Sequence, residues 1–398
     1  MSKLNDLIKE LCPDGVEFVK LGNCLDYEQP GKYIVTSTDY VLKGLPVLTA
    51  GQTFILGYTD EDFGIYEANK ENPVIIFDDF TTSFHWVDFD FKVKSSAMKM
   101  LKPKVENISF RYVYYAMTCI TYLPIEHKRQ WIQTYSNFEI PLPPLPIQEE
   151  IVRILDNFTQ LEAELEVELD CRKRQYEYYR NQLLTFDKIT PEKDKVEWKK
   201  MCEVGTFIRG KRFVRTDIVE EGVPCIHYGD MYMYYGLSAT ETRTHLTQEK
   251  ANKMRFASKG DVVIVGAGEN NLDIGIGLAW LGDKDVAVHD ACYIFKSQMN
   301  PKFVSHYLRG SKYHNQIKKY VCEGKICSIS AQGLGKALIP VPPLDVQQRI
   351  VSILDRFEAL TTDLQKGLPA EIAARRQQYE HYRDKLLNFK RKAEQQNS

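Results

Sequence analysis

Nothing in these 398 residues approaches the ~18 consecutive apolar residues that a membrane span needs. The opening Met1-Ser2-Lys3-Leu4-Asn5-Asp6 has no signal-peptide pattern. There is no CxxC pair. The nine cysteines (Cys12, Cys24, Cys119, Cys171, Cys202, Cys225, Cys292, Cys322 and Cys327) are odd in number and scattered, which excludes a disulfide framework and points to reduced thiols in a cytoplasmic protein. Cys322 and Cys327 lie closest together, and no His or Cys partner stands at zinc spacing from them. The eight histidines are dispersed, which removes Ser-His or Cys-His nucleophilic chemistry from the candidates. Neither sign of charge prevails: 52 Lys and Arg against 54 Asp and Glu give a net −2. A uniformly basic nucleic-acid binder is thereby excluded, whereas a local basic stripe is not.

Aromatic residues, by contrast, are plentiful at 12%, with 23 tyrosines, which suits a protein with extensive half-polar interfaces. The chain also repeats itself. Ile140-Pro-Leu-Pro-Pro-Leu-Pro-Ile-Gln148-Glu-Glu-Ile151-Val-Arg-Ile-Leu-Asp156-Asn-Phe158 returns as Ile339-Pro-Val-Pro-Pro-Leu-Asp-Val-Gln347-Gln-Arg-Ile350-Val-Ser-Ile-Leu-Asp355-Arg-Phe357, an offset of 199 residues from Ile140 to Ile339. Further on, Tyr176-Glu177-Tyr178-Tyr179-Arg180 matches Tyr379-Glu380-His381-Tyr382-Arg383, and Leu183-Leu184-Thr185-Phe186 matches Leu386-Leu387-Asn388-Phe389. Val16-Glu17-Phe18 is echoed by Val196-Glu197-Trp198. The organisation is block, helix, block, helix, with divisions expected at 1–139, 140–195, 196–338 and 339–398.

Pro141, Pro143, Pro144 and Pro146 hold the start of the repeat extended. Beyond Gln148 the apolar spacing is that of a coiled-coil seam. It comprises Ile151, Phe158, Leu165, Tyr176 and Leu183 in the first copy and Ile350, Phe357, Leu364, Tyr379 and Leu386 in the second, with Leu161 also placed on it. Gly367 and Pro369 should kink the second helix, while the first continues. The blocks alternate short apolar runs, such as Val74-Ile75-Ile76-Phe77 and Val262-Val263-Ile264-Val265, with frequent turn residues. The expected fold class is α/β: two strand-rich domains joined by two long helices packed as an antiparallel coiled coil. Two amphipathic helices each lying on its own block is the plainer alternative.

Enzyme motifs fall short. Gly266-Ala267-Gly268 follows a strand but lacks the third glycine and a good helix, and no Asn/Asp-Pro-Pro-Tyr/Phe methyltransferase motif exists. Asp78, Asp90 and Lys92 have only the loose spacing of a nuclease metal site. A self-sufficient methyltransferase or nuclease and a purely structural coiled-coil adaptor are the competing classes. The adaptor has no use for two large dissimilar blocks.

The Pro-Leu-Pro-Pro-Leu segment with Gln148, Ile151 and Leu155, together with Gly222-Val-Pro-Cys-Ile-His-Tyr-Gly-Asp230 and Lys259-Gly-Asp-Val-Val-Ile264, resembles the signatures of type I restriction-modification specificity subunits. Within that family the chain is most similar to the IC class. The first block's Gly44-Leu-Pro-Val-Leu-Thr-Ala-Gly51 matches the internal signature loosely. The resemblance implies two target recognition domains, each reading one half of a split, asymmetric site in double-stranded DNA. It implies helical regions that space them and dock two methyltransferase subunits, with motor-nuclease subunits joining. It implies no catalysis, metal or cofactor on this chain; S-adenosylmethionine, ATP and Mg belong to the partners.

In that setting the candidate DNA contacts are the basic and polar clusters. In the first block these are Lys92, Lys94, Ser95, Ser96 and Lys99, and the run Lys128, Arg129 and Gln130 beside His127 and Trp131. In the second they are Arg209, Lys211, Arg212 and Arg215 around Phe213, and His227, Tyr228 and Asp230 after a strand. Lys and Arg neutralise phosphates, and Arg, Gln and Asn can pair bidentately with base edges. Solvated surface charge is the plain alternative for each cluster.

Overall fold

The computed structural model of the chain describes residues 2–51, 53–124, 128–186, 196–363 and 366–393. His127 and Leu364 lie outside them. The chain divides into two compact units, 1–164 with 372–398, and 165–371.

In the first unit a four-stranded sheet has the order Leu25–Glu28, Met98–Pro103, Val74–Asp78, Phe84–Val87, and a three-stranded sheet has the order Ile55–Thr59, Leu45–Leu48, Lys92–Val93. The continuous apolar run Val74–Phe77 reflects burial on both faces. Ile75 and Phe77 enter a core with Tyr112 and Met117 of the helix Phe110–Thr118, whereas Val74 and Ile76 enter another with Leu48 and Phe91. The second unit enlarges this plan to two five-stranded sheets. One runs Gly205–Arg209, Cys292–Ser297, Val262–Val265, Gly277–Trp280, Ser238–Ala239; the other runs Ile218–Val219, Thr244–Leu246, Val223–Ile226, Val286–Val288, Phe256–Ala257.

The repeated glutamine turns out to be a clamp. Gln148 is buried, donates from its amide to the Pro143 carbonyl at 2.7 Å, and accepts the Ser109 backbone N–H at 3.0 Å. Gln347 does the same with the Pro342 carbonyl at 2.7 Å and the Asn300 N–H at 2.8 Å. Ser109 and Asn300 cap the helices Phe110–Thr118 and Pro301–Tyr307, so one side chain ties helix start, proline strand and spacer helix together. The repeated aspartates do likewise. Asp156 accepts from Arg111 at 2.9 Å and Tyr115 at 2.5 Å; Asp355 accepts from Lys302 at 2.7 Å and faces His306 at 3.4 Å.

The first spacer helix is continuous over Leu145–Thr185, 41 residues or about 60 Å. The second is interrupted: Leu344–Thr362 ends, the Gly367 N–H bonds back to the Asp363 carbonyl, and a new helix covers Leu368–Leu386 with Pro369 in its first turn. Within the first unit the two spacers run antiparallel, Phe158 stacking on Tyr382 and Glu162 pairing with Arg376. Within the second unit Tyr176 and Tyr179 stack on Phe357.

Much of the expected seam is turned toward the domains. Ile151 and Leu386 belong to the first unit's core, and Ile350 to the second's, with Leu183 packed against it. Leu161 is 46% exposed and is not a seam residue. The helices thus pair with each other and also lie on the blocks, because their apolar stripe is too wide for a two-helix contact to cover.

Candidate nucleic-acid interface

The second domain gathers its polar candidates around one cleft of about 930 Å³, lined by Arg212, Phe213, Arg215, His227, Tyr228 and Asp230 among others. The fold explains the convergence. Val223–Ile226 and Val286–Val288 run parallel, Ile226 opposite Val288, so the residues that follow, His227 and His289, emerge side by side. Gly222 immediately precedes the first of these strands at φ +155°, where a Cβ would stand 2.3 Å from the Leu246 carbonyl oxygen. Gly44 repeats this geometry in the first domain, at φ +156° and 2.3 Å from the Thr59 oxygen, so the loosely matching signature there adopts the same turn.

The cleft floor is a nest of rings: His227 lies 4.6 Å from both His289 and Tyr228, and Phe213 lies 5.0 Å from His289. Burial pushes the pKa of both histidines down, and each charge would repel the other. His289 accepts the Ala291 N–H at Nδ1, 3.1 Å, so its neutral ring carries the proton on Nε2 and donates to the Phe213 carbonyl at 3.0 Å. His227 accepts the Gly229 N–H at Nδ1, 3.2 Å, which leaves its Nε2–H as a donor. Asp230 accepts the Thr244 hydroxyl at 3.1 Å. Arg209, Lys211, Arg212 and Arg215 are exposed; Arg209 is anchored on the Asp290 carbonyl at 2.8 Å.

The first domain brings fewer of its candidates together. Lys94, Ser95 and Ser96 are exposed on the loop after Lys92–Val93, in the place that His289 and Asp290 take in the second domain. Lys128 and Arg129 are also exposed, Arg129 standing 3.9 Å from Asp79.

Three expected contacts are core residues instead. Lys92 has 0% exposure; it pairs with Glu61 at 2.5 Å and donates to the Phe63 carbonyl at 2.7 Å. Its hydrogen bond is the largest of the influences holding the Glu61 carboxyl down at about 2. Lys99, also at 0%, pairs with Asp79 and bonds Gln29, each at 3.1 Å. Gln130 is buried, accepting from Tyr122 and donating to the Lys128 carbonyl. A buried ammonium committed to a carboxylate cannot reach a phosphate without a large desolvated charge being left behind.

The enzyme-like patterns do not assemble. Asp78 caps the turn at Phe80 and Thr81, Asp90 accepts the Ala68 N–H, and Lys92 is spent on Glu61. After Ala267–Gly268 the chain makes only the short turn Asn271–Asp273, so no helix N-terminus faces a phosphate. His306, Asp355 and Glu358 lie close enough together for a metal, but Lys302 holds Asp355, Tyr176 bonds the His306 ring and Glu358 takes the Leu237 N–H. That group is a polar joint.

Residues 13–170 and 193–374 match the family model described as the type I restriction modification DNA specificity domain. The chain belongs to the type I restriction-modification DNA specificity family. It is 41% identical to the type I restriction enzyme EcoR124I/EcoR124II specificity subunit of Escherichia coli, over 98% of each chain. A solved chain from a study of type I complex assembly and conformational transition superposes with a TM-score of 0.56 at 18% identity, covering 95% of this chain and 98% of that one. The S subunit from M. genitalium gives 0.53 at 13%, covering 94% and 96%. These structures share the fold. The matches do not sort the family's classes. As a specificity chain the protein serves DNA sequence recognition and is not itself an enzyme.

Sequence reasoning missed Met233, Tyr234, Arg243, His289 and Asp290, all at the cleft of this specificity chain. Arg243 stands alone among threonines and His289 sits between strands, so neither belongs to a charge cluster; only the sheet brings them to Arg212 and His227.

Proposed function

We propose that this chain reads a split, asymmetric target in duplex DNA, one half by the domain at 1–139 and the other by the domain at 196–338. The two spacer regions, 140–195 and 339–398, set the distance between the halves. The observation that carries this reading is the repeated clamp: Gln148 and Gln347 fix two domains to two helices through the same bonds, while the reading loops differ. Lys94, Ser95, Ser96, Lys128 and Arg129 serve the first half-site. Arg209, Lys211, Arg212, Arg215, His227, Tyr228 and Asp230 serve the second. Lys92, Lys99 and Gln130 support the frame behind them.

Two methyltransferase subunits carrying S-adenosylmethionine dock on the spacer helices, and motor-nuclease subunits using ATP and Mg complete the assembly in the cytoplasm. Arg180 folds back over Tyr176 and Arg383 over Tyr379, so the docking surfaces are better sought at exposed apolar residues, Leu161 in the first unit and, separately, Val167 and Tyr178 in the second. No helix among the described residues is long and apolar enough to cross a membrane. Replacing 196–338 by the corresponding block of another family member, followed by methylome sequencing, tests the reading. One half of the methylated motif should change. A change in both halves, or in neither, rejects two independent heads.

A further inference from the structure

Five described arginines that stack on aromatic rings fall into two kinds. Arg111, Arg383 and Arg391 are held by Asp156, Asp384 and Glu139, and Arg180 is half-buried over Tyr176. The fifth, Arg243, is exposed, its guanidinium carbon 3.9 Å from the Tyr234 ring centroid, and no ion pair holds it among the described residues. Stacking fixes the plane of a guanidinium and leaves its edge free, whereas a carboxylate would occupy that edge.

The backbone beneath is equally fixed. The Arg243 N–H bonds the Tyr235 hydroxyl at 3.1 Å, and the neighbouring Thr244 begins the strand paired with Val223–Ile226, its hydroxyl on the Cys225 carbonyl at 2.9 Å. Tyr234 is itself half-exposed at the cleft rim. Arg243 is thus a planar donor pair, set in place before any ligand arrives, at the mouth of the proposed reading cleft. In the major groove only guanine offers two adjacent acceptors, O6 and N7, to such a fork. Arg212 and Arg215 have no such platform among the contacts of the described residues, and fit the looser task of neutralising phosphates.

We propose that Arg243, held over the Tyr234 ring, reads a guanine in the half-site of the second recognition domain. This rests on the two-headed reading above, and the test separates the two. The full chain is assembled with its methyltransferase partner, its mass and melting are checked, and its methylome is sequenced for Arg243→Lys, Arg243→Gln and Tyr234→Ala. Arg243→Lys keeps the charge but loses the fork; discrimination at one G·C position of one half-site should fall roughly five- to 150-fold. Arg243→Gln should shift that position toward adenine, whose N6 and N7 suit a side-chain amide. Tyr234→Ala should relax the same position by a smaller factor. If Arg243→Lys and Arg243→Gln leave the motif intact, and Arg243→Gln merely weakens binding for all sequences with a salt slope reduced by about one, Arg243 is a phosphate contact and the proposal is overturned. Relaxation in both halves together would remove the two-headed reading itself.

Discussion

Where the first recognition domain buries Lys99 against Asp79, the second lays the Tyr293 ring over Gly266. The positions correspond: the N–H of Asp79 bonds the Ala97 carbonyl and its own carbonyl accepts from Gln130, as Gly266 bonds Ala291 and accepts from Ile329. A Cβ on Gly266 would stand 2.4 Å from the tyrosine ring, so the carboxylate and the aromatic are alternatives for one space. Likewise Lys92, opposite Val47, occupies the place of Ala287, opposite Cys225. One frame accepts an ion pair or an apolar contact in its core because either fills the volume and satisfies its polar atoms. The comparison teaches that a lysine beside a reading loop is no index of DNA contact. It also shows that two of the first domain's candidate lysines, Lys92 and Lys99, lie inside, whereas Arg209, Lys211, Arg212 and Arg215 of the second stand exposed.

The largest effect should come from breaking the buried pair. Lys99→Ala strands Asp79 and should cost the first unit about 3–5 kcal/mol in urea unfolding. The double change Lys99→Tyr with Asp79→Gly, copying the second domain, should recover most of it. Unchanged stability in the single variant would mean that the pair is not a core contact. Next come the clamps. Gln148→Ala and Gln347→Ala each leave a buried carbonyl and a part-buried N–H without their partner, for roughly 2–4 kcal/mol. Because the bonds are the same, the two losses should agree; hydrogen exchange near Ser109 and Asn300 reports each, and a marked inequality would break the symmetry of the frame.

The domains should part company in acid. His227, His289, His306 and His314, all in the second unit, have pKa values lowered chiefly by burial. The unfolded chain therefore binds these protons first. The stability they confer is complete above the unfolded value of about 6.5 and is lost as pH falls through it toward the lower folded values. Hydrogen exchange taken from pH 7.5 to 5.5 should show the second unit loosening first, with His289→Phe blunting the response; earlier loosening of the first unit would contradict this. The smallest effect is one of distance. Duplicating Glu162–Leu165 adds about 6 Å to the continuous helix, and the gap between half-sites should widen by one or two base pairs with neither half altered. Methylation mapping that shows an unchanged gap rejects the spacer as a ruler.

The repeat made the architecture legible, since residues kept at a constant offset must serve a constant geometry. Gln148 and Gln347 could be singled out in this way, though their bonds could not. The cleft was partly legible, because His227, Tyr228 and Asp230 follow an apolar strand whose end had to open somewhere. Lys92, Lys99 and Gln130 were misplaced for a physical reason: Glu61 and Asp79 lie far from their lysines in the sequence, charge alone does not say which face of a strand is buried, and the loop that folds Tyr122 onto Gln130 leaves no periodic pattern. Leu161 was misplaced because a heptad pattern cannot tell which turn of a helix a domain or a second helix will cover.

By itself the sequence determined the block–helix–block–helix order, the proline stops, the continuous first spacer and the break at Gly367 and Pro369. These follow from local conformational rules and from self-similarity, which need no partner to act. The tertiary structure alone decided which cations face solvent, that the spacer stripes lie on the domains as well as on each other, and that Arg243 and His289 meet Arg212 and His227. Those outcomes depend on strand pairing between distant segments, where a parallel register at Ile226 and Val288 brings two histidines side by side that the chain keeps 62 residues apart.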